Sequence, residues 1–163
     1  MRVKIAGIVN DSIVDGPGLR LAVFAQGCPH NCQGCHNPET HDFDGGYYID
    51  TDEIIDLMGK NPLLDGITLS GGEPFMQPSP MLELAKKAHR LGLNVIIYTG
   101  YLWEELMEKA EFKELAAEAD YVVDGAFTEA LRTLSMPFIG SSNQKVVDVK
   151  KSTEAGKVVM YEF

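Results

Sequence analysis

The sequence predicts an α/β fold built on a mainly parallel sheet, and three observations support this. Short apolar runs rich in strand-forming residues alternate with stretches whose apolar residues recur at helical spacing. The helical stretches are long enough to carry the chain from one parallel strand to the next. With 163 residues, 45% of them hydrophobic, the chain can form one sizeable core but not two ordinary domains. We therefore expect a single domain over residues 1–163.

The predicted strands and helices alternate over most of the chain. In chain order they are a strand at 20–26, a helix at 52–59, a strand at 66–70, a helix from Ser79 to Gly92, a strand at 94–98, a helix at 103–119 and a strand at 121–123. Asp50 or Thr51 would cap the first helix. Pro80 fits the first position of the second helix, and Gly92 fits its end.

Two regions depart from this alternation. Residues 41–47 (HDFDGGY) are predicted to form a flexible or bulged stretch. Near the C-terminal end, 145–149 and 157–161 are strand-like and flank a polar segment at 152–156. This pattern predicts an antiparallel β-hairpin.

The loops that combine glycine with polar residues all follow predicted strands. They are residues 27–38, 70–73, 99–101 and 124–125. Ligands of parallel α/β sheets bind beyond the carboxyl ends of the strands. We therefore expect these four loops to meet at one functional site.

All three cysteines of the chain, Cys28, Cys32 and Cys35, lie in the first of these loops with the spacing C-x-x-x-C-x-x-C. Three thiolates in so short a loop can hold one face of a metal centre and leave a fourth coordination position to another ligand. An iron–sulfur cluster with one open iron fits this spacing best.

Three other interpretations of the cysteines compete with the cluster. A disulfide framework needs an even number of cysteines and an oxidising compartment, and the first residues form no signal peptide. Cys32 and Cys35 could form a thioredoxin-like redox pair, which leaves the regular position of Cys28 unexplained. A structural zinc site made of the three cysteines with His30 or His36 is the strongest of these alternatives.

Composition limits the class of partner. The formal net charge is −10, from 14 basic and 24 acidic side chains, which argues against a nucleic-acid backbone as partner. The longest apolar runs have the length of a strand, so we expect no membrane-spanning helix and a soluble, cytoplasmic protein.

The turn Gly71-Gly72-Glu73 adds a weaker signal. It lacks the pattern of a phosphate loop, and paired glycines more often serve a tight turn than a ligand. Beside an incomplete metal site, however, such a turn offers close backbone approach and a carboxylate that can hold an ammonium group. A ligand with an amino acid moiety would match it.

The cysteine loop and the Gly-Gly-Glu turn together resemble the radical S-adenosylmethionine superfamily. Three segments are similar to its glycyl-radical-enzyme activases in particular: 15–20 (DGPGLR), 24–28 (FAQGC) and 35–38 (CHNP). Three more are similar to the branch that activates anaerobic ribonucleoside-triphosphate reductase: 99–101 (TGY), 123–125 (VDG) and 140–144 (GSSNQ).

This resemblance implies a [4Fe-4S] cluster held by Cys28, Cys32 and Cys35, with the fourth iron binding S-adenosylmethionine. The residues it places around S-adenosylmethionine are Gly34, Cys35 and His36 at the adenine end, and Gly71, Gly72 and Glu73 at the methionyl end. Two positions depart from the family pattern, because many members have an aromatic residue at Gly34 and this branch often has Asp at Glu73. No side chain is implied as a general acid or base.

The resemblance further implies a radical enzyme that cleaves S-adenosylmethionine reductively and generates a glycyl radical on the reductase. It implies an electron donor such as flavodoxin or ferredoxin, and it leaves a homodimer open. The expected fold is a partial, open parallel β/α barrel, since 163 residues fall short of the ~250 typical of a closed eight-fold barrel. Residues 141–144, together with the segment before them, which we expect to be exposed, are the candidate docking surface for the partner.

Two alternatives to this function stay open. The first is activation of another glycyl-radical enzyme, such as pyruvate formate-lyase. The second, from a different class, is a zinc-bound structural or adaptor module whose cysteine loop staples a surface.

Overall fold

The computed structural model describes residues 1–35, 37–134 and 138–161. Its strands are β1 (Arg2–Ser12), β2 (Arg20–Ala25), β3 (Tyr47–Asp50), β4 (Gly66–Gly71), β5 (Asn94–Tyr98), β6 (Tyr121–Asp124) and β7 (Lys145–Asp148). Its α-helices are α1 (Thr51–Lys60), α2 (Pro78–Arg90), α3 (Trp103–Leu106), α4 (Ala110–Glu118) and α5 (Val149–Ala155). Short 3₁₀ turns occur at Pro38–Thr40, Pro74–Met76 and Glu129–Leu131.

The described strands form one sheet in the order β3-β1-β2-β4-β5-β6-β7. Strands β2, β4, β5 and β6 are parallel neighbours, so their carboxyl ends meet at one edge. Strands β1, β3 and β7 pair antiparallel on either side of this centre. The sheet of the described residues ends at β3 and β7 without closing, so the predicted α/β partial barrel is confirmed.

The core lies between this sheet and the helices. Helices α1, α2 and α4 bury an apolar stripe against one sheet face, and their fully buried side chains include Ile54, Met81, Leu84 and Leu115. The opposite face carries a smaller apolar cluster formed by Ile96, Val123, Ile139 and Val146. In the described ranges, no helix is both long and apolar enough to cross a membrane.

The predicted elements from β2 to β6 are present, but two strands were missed. β1 is irregular, because its pairing with β2 shifts register around Gly7 and again before Ser12. Val3 and Ile5 are both fully buried and begin an alternation of apolar and polar residues. The register shifts interrupt this alternation in the rest of the strand. β3 is a four-residue edge strand that starts at the end of the stretch predicted to be flexible.

The helix predicted at 103–119 is wrong as one element, because α3 and α4 are separated at residues 107–109. Leu106 and Phe112 are both buried in the core. In a continuous helix, six residues at about 100° each would place them about 120° apart around the helix axis. The break therefore lets both side chains face the sheet.

The predicted C-terminal hairpin is corrected in two respects, and the first is that residues 157–161 form no strand and pair with β7 only through an isolated antiparallel bridge between Val147 and Met160. The two segments do run antiparallel, since the Asp148 amide donates to the Val159 carbonyl at 2.9 Å. Their connection, however, is helix α5 and not a polar loop. Asp148 caps this helix by accepting from the Lys151 amide, and Gly156 ends it with φ +67°.

Arg20 ties the segment before β2 to the centre of the sheet. Its guanidinium is fully buried and donates to the Thr68 hydroxyl at 2.7 Å and to the Ile67 carbonyl at 2.6 Å. The Thr68 hydroxyl in turn donates to the Asp15 carbonyl. Burial lowers the pKa of Arg20 to about 10, which leaves it charged at neutral pH. Arg20 therefore has a structural role in fixing residues 13–19.

Candidate metal centre and ligand pocket

The cysteine loop leaves the carboxyl end of β2 and is fixed at its root. The Gly27 amide donates to the Thr40 carbonyl at 2.7 Å, and the Cys28 amide donates to the His41 carbonyl at 3.1 Å. Gly27 has φ +104°, a conformation that favours glycine. The loop is thereby turned away from the strand direction as soon as β2 ends.

The three cysteines are free thiols and half-buried. Between them, Asn31 with φ +49° and Gly34 with φ +74° bend the chain, and the Cys35 amide donates to the Cys32 carbonyl at 3.3 Å. The Asn37 amide donates a hydrogen bond to the Cys35 sulfur at 3.5 Å. Amide donors of this kind stabilise negative charge on a cluster sulfur ligand.

Burial raises the pKa of Cys28 and of Cys32, and a neighbouring Cys35 thiolate raises the pKa of Cys32 further. Both thiols are consequently protonated near neutral pH in the metal-free chain. Because iron binds the thiolate, loading of these cysteines would release protons.

A pocket opens beside the loop at the carboxyl edge of the sheet. Cys32 and Cys35 border it on one side, and Gly71 and Gly72 form part of its floor. It continues past Cys35 into an open groove of about 800 Å³ that Asp15 and other residues line. A groove of this size is sufficient for an ordinary cofactor.

The two glycines of the floor pack against the end of β2. A Cβ at Gly71, which has φ +101°, would lie 2.5 Å from the Ala25 nitrogen. A Cβ at Gly72 would lie 2.5 Å from the Gly27 carbonyl oxygen and 2.8 Å from that of Thr40. These distances are too short for any side chain, so both glycines are required by the packing as well as by the pocket.

Glu73, the third residue of the turn, lies behind the pocket with its carboxylate fully buried. Oε1 accepts from His30 Nε2 at 2.6 Å and from the Gly100 amide at 2.8 Å. Oε2 accepts from the Phe75 amide at 3.1 Å, and the Thr99 hydroxyl contacts both oxygens.

Comparison with known proteins decides the family. Residues 14–147 match the family described as 4Fe-4S single cluster domain. The anaerobic ribonucleoside-triphosphate reductase-activating protein of Escherichia coli K12 is 35% identical over 143 residues, covering 82% of this chain and 91% of that protein. This chain belongs to the family of anaerobic ribonucleoside-triphosphate reductase-activating proteins.

Two further proteins are similar to this chain. The pyruvate formate-lyase-activating enzyme of Clostridium pasteurianum is 35% identical over 66% of this chain and 49% of that enzyme. The solved structure of QueE from Escherichia coli is 16% identical to this chain, with a TM-score of 0.48 over 61% of this chain and 53% of that chain. The predicted kinship with glycyl-radical-enzyme activases is confirmed by the two activating relatives.

The residues fit the [4Fe-4S] cluster that the family description names. Three free thiols of one loop, an amide that donates to a sulfur and an adjacent open pocket are the features such a site needs. Within residues 1–35, 37–134 and 138–161, no group of three His, Cys, Asp or Glu side chains has the arrangement of a preformed metal site, so the thiols would have to close around the bound group.

The structure brings some of the predicted site residues together, but not all of them. Cys32, Cys35, Gly71 and Gly72 border one pocket, which Cys28 does not line. Gly34 is exposed, and a Cβ there would meet the Glu129 side chain at 2.9 Å. His36 lies outside the described residues.

Sequence reasoning missed three contributors to the site. His30 was considered as a zinc ligand alone, although its ring contacts Glu73. Tyr98, at the end of β5, lines both the pocket and the groove. Gln144 does so too, and its amide nitrogen donates to the Gly125 carbonyl at 2.9 Å. The position of Tyr98 at the carboxyl end of a predicted strand was the signal that could have identified it, whereas Gln144 was predicted only as part of the docking surface.

The candidate docking surface at 141–144 is partly corrected. Ser141 is buried and its hydroxyl accepts from the Thr128 amide at 3.1 Å, so it is unavailable to a partner. The Gln144 side chain accepts from the Gly140 and Ser141 amides. Ser142 and Asn143 remain exposed. This turn therefore holds the loop after β6 in place and presents two residues to solvent.

Proposed function

We propose that this chain activates anaerobic ribonucleoside-triphosphate reductase by generating a glycyl radical on it. The observation that carries the proposal is the site at the carboxyl ends of the parallel strands, where half-buried thiols border a pocket floored by two glycines. The 35% identity to the Escherichia coli activating protein, over 91% of its length, supports the choice of partner. We treat residues 1–163 as one radical S-adenosylmethionine domain.

In this proposal Cys28, Cys32 and Cys35 hold a [4Fe-4S] cluster, and S-adenosylmethionine occupies the pocket. When bound and reduced by an electron donor, the cluster would supply the electron for cleavage of S-adenosylmethionine to methionine and a 5′-deoxyadenosyl radical, and that radical would remove a hydrogen atom from the partner's glycine. The chain itself positions the groups and excludes water. No side chain has to act as a general acid or base.

Different residues of the pocket would bind the two ends of S-adenosylmethionine. The main chain at Gly71 and Gly72 would lie along the methionyl end, since the absence of side chains permits close approach there. Gly34, Cys35 and His36 would lie toward the adenine end. Glu73 was predicted to hold the ammonium group, but its contacts with protein donors support a role in shaping the site.

The open groove beside Cys35 would admit a segment of the partner. Its rim includes Ile13 and Val14, which are 73% and 77% exposed, so apolar surface is available outside the pocket. Flavodoxin or ferredoxin is our proposed electron donor, and a homodimer stays compatible with the chain. The Clostridium pasteurianum relative keeps activation of pyruvate formate-lyase as the second candidate function.

Anaerobic reconstitution tests the chemistry. We expect about four irons and four sulfides per chain, together with 5′-deoxyadenosine formation when reductant and S-adenosylmethionine are added. Cys32→Ala should lose both properties, whereas Ser142→Ala, which changes an exposed residue, should keep them. One zinc and no chromophore in the wild-type chain would overturn the proposal.

A further inference from the structure

The contact between His30 and Glu73 joins the cysteine loop to the turn after β4. The loop after β5 meets them there, because the Gly100 amide donates to the same carboxylate. His30 lies between Cys28 and Cys32, and Glu73 lies beyond the end of β4. We propose that these two residues form a clamp that fixes the cysteine loop in the position from which it binds the cluster. This inference rests on the proposed function for the identity of the cluster, and it makes His30 and Glu73 positioning residues.

Donors from four other residues hold the Glu73 carboxylate in place. Its carboxylate is fully buried and accepts from His30 Nε2 at 2.6 Å. Because a carboxylate only accepts, the shared proton is assigned to the Nε2 nitrogen of His30. Donors from Thr99, Gly100 and Phe75 complete its coordination. A buried carboxylate with this many donors is held firmly and offers little to an ammonium group.

The ring of His30 also packs against the loop that follows β5. It packs edge-on against Tyr101, with ring centroids 4.6 Å apart. Gly100 makes room for it, since a Cβ at Gly100 would lie 2.4 Å from the His30 Cδ2 atom. Tyr101 contacts Phe112, which packs against the fully buried Phe75. The cysteine loop is thus anchored to the hydrophobic core through a histidine that is not one of its metal ligands.

The clamp distinguishes two roles for the Gly-Gly-Glu turn. Gly71 and Gly72 border the pocket, whereas the Glu73 carboxylate faces the cysteine loop from behind. Loss of Glu73 should therefore loosen the cysteine loop first and affect S-adenosylmethionine through that change. If Glu73 instead held the ammonium group directly, its loss would weaken binding of S-adenosylmethionine and leave the loop unchanged.

The test compares His30→Ala, Glu73→Gln and the double variant with the wild type. Hydrogen exchange of residues 28–35 is followed by mass spectrometry in the metal-free full-length chain and in the cluster-loaded enzyme. We expect exchange in the metal-free chain to accelerate roughly tenfold or more in each single variant, because His30→Ala removes the buried hydrogen bond and Glu73→Gln, whose amide oxygen can still accept, removes its charge. The double variant should be no faster than His30→Ala, since both substitutions act on one contact.

Conservative replacements give a sharper readout. The amide nitrogen of Gln reaches the position of His30 Nε2, whereas that of Asn is too short. His30→Gln should therefore restore slow exchange and slow release of iron to a chelator, and His30→Asn should not. His41→Ala is the matched control, because His41 lies at the root of the same loop and contributes its carbonyl rather than its ring. It should behave as the wild type.

The outcomes separate the clamp from the proposed function. Native exchange of residues 28–35 in both His30→Ala and Glu73→Gln would overturn the clamp, as would weakened S-adenosylmethionine binding in Glu73→Gln with an unchanged loop. Unchanged exchange of the β4 amides in each variant verifies that the fold is intact, and His30→Gln decides the matter if His30→Ala loses the fold. A wild-type chain that binds no iron and sulfide would contradict the proposed function, while the metal-free exchange experiment would still decide whether the clamp exists.

Discussion

At Gly72 the main chain passes so close to the root of the cysteine loop that a larger residue has no space. The carbonyl oxygens of Gly27 and Thr40 lie 2.5 Å and 2.8 Å from where its Cβ would be. Both neighbours are backbone atoms, which move only if the loop moves. The glycine therefore affects the metal centre and the ligand pocket together.

Gly72→Ala should for this reason lower iron content as well as affinity for S-adenosylmethionine. We expect at least about half of the iron to be lost on reconstitution, because displacement of Gly27 shifts the adjacent Cys28. Gly59→Ala is the control, since a Cβ there has open space, and this helical replacement should stabilise slightly. A Gly72→Ala protein with full iron content and native affinity would contradict this account.

His89 gives a second prediction at the residue scale, because both of its ring nitrogens face carboxylates. Nδ1 lies 3.0 Å from Glu118 Oε1, and Nε2 lies 2.8 Å from Asp120 Oδ2. Burial disfavours the charged ring, but the two carboxylates outweigh it and raise the pKa of His89. Lys150 and Glu154 line the same cleft.

A pKa above that of the unfolded chain means that protonated His89 favours the folded state. Its contribution is fully present below the unfolded-state pKa of about 6.5 and disappears as pH rises through the folded-state pKa. His89→Gln should therefore destabilise the metal-free chain by up to about 1 kcal/mol at pH 6, and by less at pH 9. Chemical denaturation at the two pH values measures this, with His41→Gln as control. An equal loss at both pH values would refute the ionic contribution.

At the scale of elements, the four parallel strands were predictable because each combines a compact apolar run with a glycine or polar loop at its carboxyl end. β1 was not, since its register shifts break the alternation of apolar residues that marks a strand. α5 was missed because its polar sequence resembles a loop, although Asp148 and Gly156 are good capping residues.

The site likewise has features that the sequence predicted and features that it did not. The spacing of Cys28, Cys32 and Cys35 was informative because ligands of one cluster can come from one loop. The contact between His30 and Glu73 joins residues 43 positions apart, and its buried geometry depends on how three loops meet. Neither residue type nor spacing specifies such a contact.

Helix α2 should contribute strongly to stability through its buried face. Leu84 is fully buried beneath the sheet, so Leu84→Ala should reduce the free energy of unfolding by about 2–5 kcal/mol. Leu91, just beyond the helix and 49% exposed, provides the matched control, and Leu91→Ala should change stability by less than about 0.5 kcal/mol. Urea denaturation of the metal-free full-length chain compares them. Equal losses for the two variants would show that α2 does not pack as described.

At the scale of the whole molecule, the open sheet determines which substrates can reach the site. Its parallel centre brings the cysteine loop and the Gly-Gly turn together, and within the described residues the antiparallel edge strands leave it unclosed. The groove of about 800 Å³ beside Cys35 is therefore accessible from the side. Such access suits a substrate that is part of a large protein, as the proposed reductase is.

The most direct test of this account is electron paramagnetic resonance of anaerobic ribonucleoside-triphosphate reductase after anoxic incubation with the cluster-loaded chain, reductant and S-adenosylmethionine. We predict the doublet of a glycine-centred radical on the reductase, and none with the Cys32→Ala chain. A doublet that arose on pyruvate formate-lyase and not on the reductase would refute the proposed partner. If neither enzyme gave a doublet, although the cluster was intact and S-adenosylmethionine was bound, the proposed activation itself would be contradicted.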